Sequence, residues 1–151
     1  MKNLTAIILL FTSINSIGQN TLRVATFNIE KGIAIAGYDP VSYFTEGKAI
    51  SGNKANTYAV EGVTYYFANS KNKAIFIKEP KKFEPQYGGW CAYAMGTSGE
   101  KVEIDPETFK VNNGKLYLFY HSWTNNTKTK WDANELPLKL KADKNWSLIS
   151  K

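Results

Sequence analysis

Hydrophobic and polar residues alternate in two short stretches that each reverse direction at a glycine. Residues 57–67 are rich in Val, Tyr and Phe on both sides of Glu61-Gly62, which suits a tight turn. Residues 108–120 repeat this pattern around an Asn-Asn-Gly turn at 112–114. The sequence therefore predicts two β-hairpins.

Two further stretches carry helix signals. Asn69 or Ser70 can cap a helix that ends before Pro80. The tail, residues 123–151, is polar and lysine-rich but carries spaced leucines and tryptophans. This spacing predicts one or two amphipathic helices, broken near Pro137.

The order of these elements predicts the fold class. Residues 22–29 show partial alternation and are expected to form a strand or extended arm. With the hairpins and helices that follow, the chain is expected to fold as one α+β domain. Its small antiparallel sheet is built from the two hairpins, with helices packed against it.

The first eighteen residues have the pattern of a signal peptide. Lys2 precedes a mostly apolar run that ends in small residues, and cleavage after Gly18 would leave Gln19 as the new N-terminus. We therefore expect an exported protein, periplasmic or extracellular, with a signal peptide at 1–18. An N-terminal arm or strand is expected at 19–36 and the main domain at 37–151.

Charge and cysteine content narrow the possible functions. The formal net charge is +6, but the basic residues are lysines except for Arg23. Because arginine is the usual reader of bases and phosphates, we expect no nucleic-acid partner. The single cysteine cannot form an internal disulfide, so the domain must be held together by packing.

Candidate chemistry is concentrated in residues 85–95. Two adjacent glycines there allow a sharp turn, and a short buried helix is predicted to begin at them. Cys91 and Met95 would share one face of that helix. Two sulfur atoms on one face are either a soft-metal site or adaptable core fillers.

Aromatic residues and one histidine extend this site. Tyr87, Trp90 and Tyr93 are expected to line a ligand pocket around Cys91, unless they belong to a tyrosine-rich core. His121 is either a third metal ligand or a surface residue at the end of a strand. One thiolate, one thioether and one imidazole would suit Cu(I).

Several motifs together resemble the YHS domain family, over residues from about 38 to 146. The similarity rests on Gly-Tyr-Asp-Pro-Val at 37–41, on the first hairpin, and on the helix with Phe76 and the following Phe83. The Asp-Pro hairpin that starts at residue 105 and the segment 142–146 resemble longer, exported members.

The resemblance implies a presumed metal-binding domain, but its two presumed cysteine ligands are replaced. Their positions fall on Ser42 and Asn72. Hydroxyl and amide oxygens are poor ligands for soft metals, so the metal function does not carry over through these two positions.

Three functions follow as hypotheses. The first is an exported, non-catalytic YHS-like module that binds a soft metal such as Cu(I), or a small ligand, near Cys91. The alternative is an interaction or structural domain that keeps the YHS fold without metal. The third is an enzyme that uses Cys91 and His121, which would require the two side chains to meet and a third group to orient the imidazole.

Overall fold

The structure is a computed structural model, which describes residues 14–151 and their side chains from residue 20 onward. Most of the predicted signal peptide lies outside the described residues. The described part begins with helix α1 (Ile14–Thr26), which contains the predicted cleavage point. Within the described part of the chain, none of the helices has the length and apolar character that crossing a membrane needs.

The first sheet has four strands in the order β1-β2-β4-β3. The strands are β1 (Ile29–Glu30), β2 (Ile33–Ala34), β3 (Asn53–Val60) and β4 (Val63–Phe67). Strands β3 and β4 form the predicted first hairpin, with Tyr58 opposite Tyr65. Glu61 and Gly62 at its turn both have positive φ, as a two-residue hairpin turn requires.

Short helices surround this sheet. They are α2 (Ser42–Thr45), α3 (Ser70–Lys78) and α4 (Pro80–Phe83). The predicted start of α3 is confirmed, because the Asn69 side chain accepts a hydrogen bond from the Asn72 backbone at 2.8 Å. Phe76 of α3 is fully buried among the aromatic rings of β4, which anchors the helix to the sheet.

The second hairpin is also confirmed, but it forms its own two-stranded sheet. Its strands are β5 (Asp105–Asn112) and β6 (Lys115–Phe119). Strand β6 is buried on both faces. Leu116 and Leu118 join a hydrophobic cluster with the first sheet, whereas Tyr117 and Phe119 join a second cluster with the C-terminal helices. The two clusters therefore meet at one strand.

The second cluster is enclosed by helices. After α5 (Ala92–Thr97) and the second hairpin come a small hairpin, β7 (His121–Ser122) and β8 (Asn125–Asn126), and helices α6 (Thr127–Asp132) and α7 (Glu135–Ile149). The tail breaks between Asp132 and Glu135, a few residues before Pro137, near which the break was expected. Proline is tolerated there because Pro137 lies in the first turn of α7.

The α+β fold class is confirmed, and two details differ from expectation. The two hairpins belong to separate sheets, because β6 packs between two clusters. The strand predicted over 22–29 is wrong as far as Thr26, since that stretch ends helix α1. The expected arm at 19–36 thus holds the end of a helix and two very short strands.

Candidate functional site

The segment 85–95 is shaped by three consecutive residues with positive φ. Tyr87, Gly88 and Gly89 have φ values of 56°, 61° and 87°. A Cβ on Gly88 would lie 2.6 Å from the ring of Trp146. The glycine is therefore required for the close approach between this turn and α7, in addition to the left-handed backbone.

Cys91 is fully buried, as predicted. It precedes α5, and its sulfur accepts a hydrogen bond from the Tyr120 backbone N–H at 3.3 Å. The sulfur also lies 3.4 Å from the hydroxyl of Thr127. Since the thiol is closed to solvent, a ligand could reach it only if this segment opened.

Met95 and His121 lie in two other environments. Met95 is buried within the second cluster. The His121 side chain is 44 % exposed, and its Nδ1 lies 3.3 Å from Asp105 Oδ2. Among residues 14–151, no group of three or more His, Cys, Asp and Glu side chains is placed to hold a metal. Metal ligation by Cys91, Met95 and His121 stays a prediction.

The two positions at which the resemblance places cysteines do share a neighbour, the buried Asp39. The hydroxyl of Ser42 donates to the Asp39 carbonyl at 2.8 Å, and the amide of Asn72 donates to the Asp39 carboxylate at 2.7 Å. That carboxylate also accepts backbone N–H groups from Val41 and Ala68, both at 2.9 Å. Because these donors are neutral N–H and O–H groups without a thiol, the site does not fit a soft metal.

A cleft lies beside the segment 85–95, between α1, α4 and α7. It consists of two cavities of about 380 and 230 Å³. Both cavities are lined by the same five residues, which are Arg23, Phe27, Lys81, Trp146 and Ser150. The larger cavity is also lined by Tyr87, one of the four residues predicted to form a pocket.

The other predicted pocket residues help to build this region. The indole N–H of Trp90 donates to the Thr26 carbonyl at 2.6 Å, which holds the end of α1 against the turn. Tyr93 is half-buried at the edge of the second cluster, with the Lys130 ammonium 5.9 Å from its ring. The structure therefore separates Tyr87, at the cleft, from the buried Cys91.

A buried ion pair forms one side of the cleft. The Arg23 guanidinium donates to Glu84 Oε1, and the side chains of both residues are about nine-tenths buried. The hydroxyl of Tyr65 donates to the same oxygen at 3.0 Å. Burial, together with the nearby Glu84 carboxylate, raises the pKa of Tyr65, so this phenol stays protonated.

A second hydrogen-bond network lines the larger cavity. The hydroxyl of Tyr87 donates to Asp143 at 2.9 Å, and Lys139 pairs with the same carboxylate at 2.6 Å. Burial and the hydrogen bond to Asp143 raise the pKa of Tyr87. Tyr87 is therefore a hydrogen-bond donor at neutral pH, and not a base.

Sequence reasoning missed most of the cleft, because its walls come from distant parts of the chain. One signal was present: Arg23 is the only arginine among many lysines, and arginine is preferred in buried ion pairs. No protein-family model, curated protein or solved structure matches this chain.

Proposed function

We propose that this protein is an exported, non-catalytic binding module of the YHS type that holds a small organic ligand in the cleft. The observation that carries the proposal is the pair of adjoining cavities with a common wall of aromatic and cationic side chains. Concave sites with apolar walls and a few polar groups are the usual form of small-molecule sites.

The surroundings of Cys91, His121 and Tyr87 support a non-catalytic function. Cysteine catalysis requires a thiol within hydrogen-bond reach of an imidazole. The Cys91 thiol instead contacts Tyr120 and Thr127, and the His121 ring pairs with Asp105 at the surface. In the cleft, Tyr87 is held in its protonated form by burial and by Asp143.

The YHS assignment is part of the proposal. It is supported by the way Ser42 and Asn72, the two positions marked by the resemblance, both hydrogen-bond to Asp39. In this chain these residues form a hydrogen-bonded network in place of a thiolate pair. We therefore propose the small-ligand form of the module, and the copper form stays a prediction that rests on Cys91, Met95 and His121.

A fragment screen followed by NMR tests the proposal. We expect some fragments to shift the resonances of Tyr87 and Trp146 in the ¹⁵N-labelled protein as purified. Ser147→Trp and Ser150→Trp place bulk at the cleft and should abolish these shifts. Ser98→Trp, at an exposed position outside the residues that line the cleft, is the matched control and should bind as the wild type does.

Two results would refute the proposal. The first is a screen in which no fragment affects the cleft resonances, and the second is unchanged binding in both blocked variants. The alternative, a domain that keeps the fold without a ligand, would then replace it.

A further inference from the structure

Among the described residues, the charges around the larger cavity leave one lining cation without an ion-pair partner. Glu84 is paired with Arg23, and Asp143 is paired with Lys139. Lys81 lines both cavities, yet it lies within ion-pair distance of no carboxylate among the described residues. Once the paired charges are set aside, the larger cavity keeps the positive charge of Lys81.

A second donor in the common wall has no hydrogen-bond acceptor in the part of the chain that the structure describes. The Arg23 Nε is buried and forms no hydrogen bond with any described residue. It lies 3.5 Å from Glu61 Oε2, which is an ion-pair distance without hydrogen-bond geometry. Glu61 lines only the smaller cavity and is 39 % exposed, so the larger cavity, beside Lys81, is the better place for an anion. Lys81 therefore supplies an unpaired positive charge, and Arg23 an N–H donor without an acceptor, among the described residues that line the cleft.

Besides Ser150, the rest of the common wall consists of two aromatic rings. The Phe27 and Trp146 rings pack edge to face with centroids 6.0 Å apart. The Arg23 guanidinium lies over the Phe27 ring, 4.2 Å from its centroid, and this contact also helps to hold the ring in place. Flat apolar groups pack well on such rings.

We infer that the ligand of this cleft is a small organic anion, with a carboxylate near Lys81 and a flat apolar body against Phe27 and Trp146. This inference rests on the proposed function, because it names the class of ligand that the cleft binds. Lys81 is the specificity-determining residue. The aromatic pair selects ligands with an apolar body over inorganic anions.

The test compares two probes of equal shape, 1-naphthoate and the neutral 1-naphthamide, by NMR titration of the cleft resonances. Naphthoate should bind about fivefold more tightly than naphthamide, since one partly exposed ion pair contributes at most about that factor. Raising the salt concentration should weaken only naphthoate. Lys81→Met should remove the preference.

Lys82→Met is the matched control. Lys82 is the next residue of α4 but pairs with Glu79 and does not line the cleft. The control should keep the full preference for naphthoate.

The possible outcomes distinguish a wrong ligand class from a wrong proposed function. Equal binding of the two probes, or a preference that survives in Lys81→Met, would overturn the anion inference while the cleft remains a binding site. Failure of both probes to bind would also overturn it. The proposed function would then be decided by the fragment screen, which includes neutral and cationic compounds.

Discussion

Replacing Asp39 by asparagine is expected to destabilise the protein by about 3 kcal/mol. The carboxylate is fully buried and accepts three N–H groups. Oδ1 takes the Val41 N–H, and Oδ2 takes those of Ala68 and Asn72. An asparagine has one oxygen, so in either orientation its NH₂ group faces a donor.

The magnitude follows from the bonds that are lost. The better orientation keeps the two bonds made by Oδ2 and loses the one to Val41. A hydrogen bond to a charged group contributes about 1.5–3 kcal/mol, and the remaining two weaken when the acceptor becomes neutral. Relief from burying a charge offsets part of this loss, which leaves about 3 kcal/mol. The melting temperature should fall by about 10 °C.

Urea unfolding, followed by tryptophan fluorescence, measures the change in the free energy of unfolding. Glu46→Gln makes the same chemical change at an exposed position and should stay within about 0.5 kcal/mol of the wild type. Asn72→Ala removes a single donor and should cost about 1–2 kcal/mol. If Asp39→Asn unfolds within about 0.5 kcal/mol of the wild type, the buried carboxylate does not hold this region together.

Four further results are expected. Gly96→Ala should lower the free energy of unfolding by about 1–3 kcal/mol, because the new Cβ would lie 2.6 Å from a backbone oxygen of α7. A thermal melt that shows unchanged stability would contradict this close contact between the two helices. Burial alone would raise the pKa of Asp105, but hydrogen bonds from Thr108, the Glu107 backbone and His121 outweigh it and lower this pKa. The stabilisation from Asp105 should be complete above pH about 4 and disappear as the pH falls through the lowered pKa; an NMR titration that finds an ordinary pKa would refute this. A bulky thiol reagent should label Cys91 only as fast as the protein opens, and rapid, complete labelling of the native protein would show that the thiol is accessible. Mass spectrometry of the exported protein should find Gln19 at its N-terminus, and an uncleaved precursor outside the cytoplasm would contradict the signal-peptide prediction.

The parts of the fold that could be predicted are those with local signals. The hairpin turns depend on the positive φ of Gly62 and Gly114, and the start of α3 depends on the capping side chain of Asn69. Each of these signals involves residues only a few positions apart. The burial of Cys91 was also predictable, because free cysteine is among the most buried residue types.

The predictions that were wrong or missing concern features that depend on contacts between residues far apart in the sequence. The stretch from Leu22 alternates weakly, which suits either a strand or a helix, and tertiary packing decides between them. The packing is visible at Gly62, where a Cβ would lie 2.7 Å from the Val24 side chain of α1. The cleft could not be predicted for the same reason, since the partners Arg23 and Glu84 lie 61 residues apart.

The two rings of the cleft, Phe27 and Trp146, lie 119 residues apart in the sequence, and this separation has a consequence for the order of folding. Contacts of such large sequence separation close late, after the hairpins and short helices have formed. A ligand held between these two rings binds the folded protein and not the unfolded chain, so it stabilises the folded state by mass action, by an amount that grows with the logarithm of the ligand concentration above its Kd. Because Phe27 packs on the first hydrophobic cluster and Trp146 on the second, a ligand in the cleft would bind only when both clusters have formed. The bound ligand would also slow the separation of these two rings when the protein unfolds.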